Sequence, residues 1–182
     1  MQYKTTLMDE AAMERTLRRL SHEIVEKNHG VEELCLVGIL RRGVSIAERL
    51  AEHIRRNENV DIPVGVLDIT LYRDDITENG DQAEINSTDI PFSVEGKTLV
   101  LVDDVLFTGR TVRAAMQAVI GLGMPSSIQM CAFVDRGHRE LPICANYIGK
   151  NFPTARSEMI RVCVPEYDGC MRVELYDFSD DI

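Results

Sequence analysis

A chain of 182 residues that is 45% hydrophobic holds enough apolar material for one well-buried domain, yet it has no apolar run long enough to span a membrane. Its formal charge of −10 excludes indiscriminate attraction to nucleic-acid phosphates, while leaving room for a local basic patch. The five cysteines, at 35, 131, 144, 163 and 170, form neither a Cys-x-x-Cys pair nor a regular framework; three lie in apolar runs and read as reduced core thiols. The stretch from Met1 to Leu7 has no basic segment leading into an apolar core, so a cytoplasmic protein is expected.

In chain order, Asp9 to about Asn28 reads as a helix with Asp9 and Glu10 at its positive end. At roughly 100° per residue, Met13, Leu17, Leu20 and Ile24 share one face, and Arg15, Arg18, Arg19 and His22 fall nearly opposite. Leu34–Leu40 reads as a buried strand, followed by Arg41-Arg42-Gly43 and a helix through Ile46, Leu50 and Ile54. Two guanidinium groups at a strand-to-helix turn offer forked donors to an anion. Pro63–Ile69 is a third apolar run. From Asp74 to Pro91 the chain turns acidic and polar with no Lys or Arg, which reads as a lid or a disordered connection.

The organising stretch is Thr98–Thr111. An uninterrupted Val- and Leu-rich run predicts a strand buried on both faces, and Asp103 and Asp104 come where it should leave the sheet. After the Thr108-Gly109 turn, Val112, Ala115, Met116, Val119 and Ile120 form one apolar stripe of a helix. The free N–H groups at that helix start suit a phosphate, Gly109 permits close approach, and Thr108 and Thr111 add donors. The two carboxylates suit the other end of the same ligand, as acceptors for sugar hydroxyls or partners of a hydrated Mg²⁺. The stretch has neither the Walker nor the dinucleotide pattern.

Ile128–Val134 predicts a further buried strand, with the polar segment Asp135–Pro142 facing the same crevice. Ile160–Val164 and Met171–Phe178 read as two strands joined by Pro165–Gly169. The alternation predicts an α/β, doubly wound, mainly parallel sheet with a small antiparallel edge hairpin, in one domain over 1–182 with a mobile lid at about 71–91.

Several segments carry a family resemblance. VLVDDVLFTGRT, from Val100 to Thr111, resembles the phosphoribosyl pyrophosphate (PRPP) motif of type I phosphoribosyltransferases, and Leu40-Arg41-Arg42-Gly43 resembles their pyrophosphate loop, which commonly carries a non-proline cis peptide. DITLYRDD (Asp68–Asp75), DRGHRELPI (Asp135–Ile143) and YIGKN (Tyr147–Asn151) narrow the likeness to the PyrR family, which combines pyrimidine operon attenuation with uracil phosphoribosyltransferase activity. The likeness covers nearly the whole chain.

The resemblance implies transfer of ribosyl phosphate from PRPP to uracil, with UMP and pyrophosphate as products and Mg²⁺ as cofactor. Val105, Leu106, Phe107, Thr108, Gly109, Arg110 and Thr111 would hold the 5′-phosphate end. Leu40, Arg41, Arg42 and Gly43, with Arg73 on the lid, would hold pyrophosphate. Asp103 and Asp104 would bind the ribose hydroxyls near the developing cation, with Mg²⁺ carried by PRPP and no dedicated protein site. The implied catalytic set is Asp103, Asp104 and Arg73. Uracil would lie against Val134, Asp135, Arg136 and Gly137, read largely by backbone groups; Asp135 and His138 are the candidates for a base.

For the regulatory half, the family binds leader RNA under the control of uridine nucleotides. Arg15, Arg18, Arg19, His22, Lys27 and Lys150 are the implied contacts, in a homodimer or higher oligomer. The chain departs from RNA-binding members at Leu40 and Cys144, where basic residues are common. The pocket motifs serve a salvage enzyme and an RNA regulator equally. A purine phosphoribosyltransferase would share the loops at Leu40 and Asp103, but not DITLYRDD or DRGHRELPI.

Overall fold

The computed structural model describes residues 1–70 and 88–178. Five strands form a parallel sheet: β2 (Leu34–Ile39), β3 (Val64–Leu67), β4 (Thr98–Leu106), β5 (Ser127–Asp135) and β6 (Tyr147–Asn151), in the order β3-β2-β4-β5-β6. β2 is buried along its whole length, as is β4 from Leu99 to Asp103, which is why both read as continuous apolar runs and not as alternating strands.

Helices α1 (Glu10–Lys27) and α2 (Arg42–Glu58) cover one face, and α3 (Arg110–Ile120) covers the other. The Asp9 side chain caps α1 by accepting the Ala12 N–H at 2.7 Å, and the helix buries Met13, Leu17, Leu20 and Ile24 as its period requires. On the first face these residues join Ile46, Leu50 and Ile54 of α2 over Leu36, Val100 and Phe133; on the second, Val112, Ala115 and Val119 pack on Val37, Leu99 and Leu101.

The two terminal strands, β7 (Glu158–Cys163) and β8 (Arg172–Asp177), are antiparallel as expected and flank a one-turn helix, α4 (Pro165–Asp168). They stand in a separate three-stranded sheet, not at the edge of the parallel one, because β1 (Gln2–Met8) pairs antiparallel with β8. Neither β1 nor β6 is legible in the sequence. β1 is exposed over its first five residues and has no periodic apolar face to announce it. Cys35, Cys131 and Cys163 are buried, as expected of core thiols, and burial pushes the Cys35 thiol up to about 11 and Cys131 up to about 12.

Strand order decides where the site lies. From β2 the chain steps to β3 on one side, and β4 then adds on the other side of β2, so the connections diverge between β2 and β4. A crevice opens at the carboxyl ends of strands at such a switch point.

Candidate active site

Three segments meet at that crevice. The first follows β2: the Leu40–Arg41 peptide is cis, as the resemblance implies, and α2 begins at Arg42. Gly43 lets this loop lie directly on β4, since a Cβ there would sit 2.4 Å from the Val102 carbonyl oxygen and 3.3 Å from the Asp103 Cα. The pyrophosphate-loop candidates are thereby set against the acidic pair.

The second segment is the end of β4 and the turn into α3. Asp103, Val105–Thr111, Val112 and Arg113 line a crevice of about 240 Å³. Gly109 takes φ +93°, a conformation that β-carbons disfavour, and as N-cap it has no side chain to offer the α3 N–H groups. Thr108 Oγ1 accepts the Arg110 N–H at 3.3 Å. The turn is thus a helix N-terminus open to an anion.

The acids above it differ in setting. The Asp103 carboxylate is buried and accepts the Asp104 N–H at 3.0 Å; Asp104 Oδ1 accepts the Val105 N–H at 2.9 Å. Desolvation pushes the Asp104 carboxyl above its ordinary value, against the pull of a hydrogen bond with Asp103 and the charge of Arg42. Two crowded carboxyls gain by meeting sugar hydroxyls or a hydrated cation.

The third segment leaves β5. Parallel register sets Asp103 beside Ala132, Val105 beside Val134 and Leu106 beside Asp135, so the end of β4 and the candidate uracil segment are neighbours. The same loop is stapled to the phosphate turn: Glu140 and Leu141 N–H groups donate to the Thr108 carbonyl at 3.0 and 3.2 Å, and Arg110 Nε donates to Glu140 at 2.8 Å.

Several side chains from this segment are committed elsewhere. Arg136 is buried under the Phe107 ring, 4.1 Å from its centroid, and its N–H groups donate to Thr154 Oγ1 and to the Ala155 and Glu158 carbonyls. His138 meets the Thr154 carbonyl through Nε2. The Asp135 carboxylate accepts the Gly137 N–H at 2.9 Å and is paired with Arg139. Both Asp135 oxygens are therefore engaged, whereas His138 is tied through Nε2, and the backbone groups of this segment can read the edge of a planar base.

Two residues emerge that the sequence reading did not assign. Arg139 spans the site floor, donating to the carbonyls of Ile143 at 3.0 Å, Phe107 at 2.8 Å and Gly137 at 3.2 Å as well as to Asp135. Its place inside DRGHRELPI was the available signal. Asp168 holds Arg42 from the second sheet, with Nε to Oδ2 at 3.1 Å and Nη2 to Oδ1 at 2.8 Å. No local signal marks that partner, which lies in a segment that read only as a turn. Arg73 and residues 71–87 of the lid expected at about 71–91 lie outside the described residues.

The candidate RNA contacts gather on one side. Arg15, Arg18, Arg19, His22 and Lys27 on α1 and Lys150 on β6 are all exposed. Arg19 joins the two elements by donating to the Ile148 and Gly149 carbonyls at 3.1 and 2.6 Å, and it also pairs with Glu23. Lys27 lies 5.2 Å over the Tyr147 ring. Leu40 is half-buried beside the crevice, and Cys144 is exposed.

A turn built for an anion, an acidic pair beside it and an arginine loop across a switch point define the phosphoribosyltransferase class, and a family model described as phosphoribosyl transferase domain matches residues 4–164. A crystal structure of a hypoxanthine-guanine phosphoribosyltransferase from Bacillus anthracis superposes with a TM-score of 0.71 over 96% of this chain and 98% of that one; at 20% identity it shows the fold alone. "Bifunctional protein PyrR" of Thermus thermophilus is 55% identical over 177 residues, covering 97% of this chain and 98% of that protein. The protein of the same description from Caldicellulosiruptor bescii is 53% identical over 176 residues, 97% of each. The chain belongs to the PyrR family.

Proposed function

We propose that this protein is a uracil phosphoribosyltransferase that also regulates attenuation of pyrimidine operon transcription by binding leader RNA in a uridine-nucleotide-dependent way, in the cytoplasm. The observation that carries the enzyme reading is the open α3 N-terminus flanked by Asp103 and Asp104, facing the Val134–Gly137 segment across adjacent strands.

In the reaction the bond from the anomeric carbon to the pyrophosphate oxygen breaks, a bond to uracil N1 forms, and the N1 proton is lost. The backbone N–H groups from Thr108 to Thr111 hold the 5′-phosphate. Asp103 and Asp104 accept the ribose hydroxyls and stabilise positive charge as the leaving group departs. Arg41 and Arg42 receive the charge that develops on pyrophosphate. Uracil is oriented by backbone groups at the end of β5.

The residues present fit Mg²⁺ carried by its substrate. Mg²⁺ is commonly bound through one or two carboxylates plus substrate phosphates, and Asp103 and Asp104 are two adjacent carboxylates at the end of β4. Asp103 and Asp104 would meet it through sugar hydroxyls or water. When bound it offsets negative charge on the pyrophosphate.

For the regulatory half, the reading rests on the exposed α1 and β6 cations together with family membership; a homo-oligomer would set two such faces in one assembly. A titration of leader stem-loop RNA with and without UMP tests it. Binding no tighter than to an unrelated stem-loop leaves the chain as a salvage enzyme.

A further inference from the structure

Asp168 lies outside the crevice, in α4 beside the second sheet, yet four N–H donors converge on its carboxylate. Arg42 gives two of them; Arg161 Nη2 donates to Oδ1 at 2.6 Å, and the Val164 N–H donates to Oδ2 at 3.0 Å. The Asp168 side chain is 3% exposed, whereas that of Arg42 is 30% exposed. A carboxylate so enclosed does not move with its ligand; the arginine is the member that is oriented.

The grip uses two of the five N–H groups of a guanidinium, so the fork keeps donors for a second anion. Gly43, the next residue, lies directly on Val102 and Asp103, which sets Arg42 between α4 and the strand end that carries the acidic pair. A long arginine left to itself samples many rotamers, and fixing it beforehand removes that entropy from the binding step.

We propose that Asp168 is a positioning residue for the leaving pyrophosphate: it aims the Arg42 guanidinium at the crevice, and through α4 it makes the second sheet part of the pyrophosphate site. The inference rests on the assignment of Arg42 to pyrophosphate made above. It explains why α4 is placed where it is, since the Arg42–Asp168 pair joins α2 of the main body to the turn between β7 and β8.

A double-mutant cycle on Arg42 and Asp168 tests it, read as magnesium pyrophosphate affinity by calorimetry and as the KM values for PRPP and uracil. Asp168→Asn is expected to weaken pyrophosphate binding and raise the KM for PRPP about tenfold, the effect of one charge-assisted contact, with the KM for uracil within about twofold. Arg42→Ala should weaken both by at least as much, and adding Asp168→Asn to it should change nothing further. Asp168→Glu keeps the charge and displaces it by one methylene; it should show a smaller rise in the same direction, and it carries the test if the Asn variant does not fold. Wild-type pyrophosphate affinity in both Asp168 variants, or equal losses in the presence and absence of Arg42, overturns the positioning role alone. Unchanged affinity in Arg42→Ala overturns the pyrophosphate assignment and the positioning role with it.

Discussion

Asp104 and Asp168 illustrate opposite uses of a carboxylate. Asp104 is raised by desolvation, so the folded state binds protons more tightly than the unfolded chain between the two values. Its contribution to stability therefore falls as pH rises through that window. Asp103→Asn with Asp104→Asn should lower turnover by about 10²-fold or more, because the negative charge that would hold the ribose hydroxyls and offset the developing cation is lost. The same double variant should unfold at or above the wild-type temperature at neutral pH; a large drop in thermal stability would place the pair in the core's service instead. Asp168 is held well below the usual carboxylate range, first by the Arg42 hydrogen bonds. Its stabilisation is full above the unfolded carboxylate value and is lost as pH falls below it. Asp168→Asn should therefore cost about 1–3 kcal/mol at neutral pH, as expected when a buried carboxylate gives up charge-assisted hydrogen bonds from partly exposed arginines, and the gap to wild type should close in acid. Denaturant melts at the two pH values check the sign.

At the scale of elements, the site depends on loops being pressed onto strands. Gly43 is the contact between the α2 start and β4, and a methyl group there would meet the Val102 carbonyl at 2.4 Å. Gly43→Ala should cost about 1–3 kcal/mol of stability and weaken PRPP binding more than uracil binding, since the displaced loop is the one that carries Arg41 and Arg42. Equal weakening of both substrates in a steady-state analysis would argue against a loop specific to pyrophosphate. Helix α1 serves two ends at once. Its apolar stripe is core, while Arg19 fixes the edge strand β6 through two carbonyls, so a change at Arg19 would disturb the sheet edge as well as any RNA contact. Arg18, equally exposed, is the cleaner probe because the bonds to the β6 carbonyls belong to Arg19. Arg18→Ala should lower leader-RNA affinity and make the logarithmic salt slope shallower by about one unit, while uracil transfer persists.

At the scale of the whole molecule, the formal charge of −10 means that RNA binding calls for a local basic surface, which on the proposed reading the α1 and β6 cations would supply. On the proposed reading the Val134–Gly137 segment would select the base: uracil should be a far better acceptor than hypoxanthine, guanine or adenine, and comparable turnover of a purine in a direct assay would move the chain to another phosphoribosyltransferase class. The alternation of strands and helices, the acidic pair, the Gly109 turn and the basic face of α1 were all determined by the sequence itself. Each depends on neighbours within about one turn or one strand, where period and turn chemistry act directly. β1 was hidden because its residues are mostly exposed and it exists through pairing with β8, at the other end of the chain. The grip of Asp168 on Arg42 joins residues 126 apart, and that of Arg19 on Gly149 joins residues 130 apart. Such partners leave no period in the sequence. Tertiary structure alone decided them, because a hydrogen bond or ion pair requires its two ends to meet in space and places no constraint on the residues between.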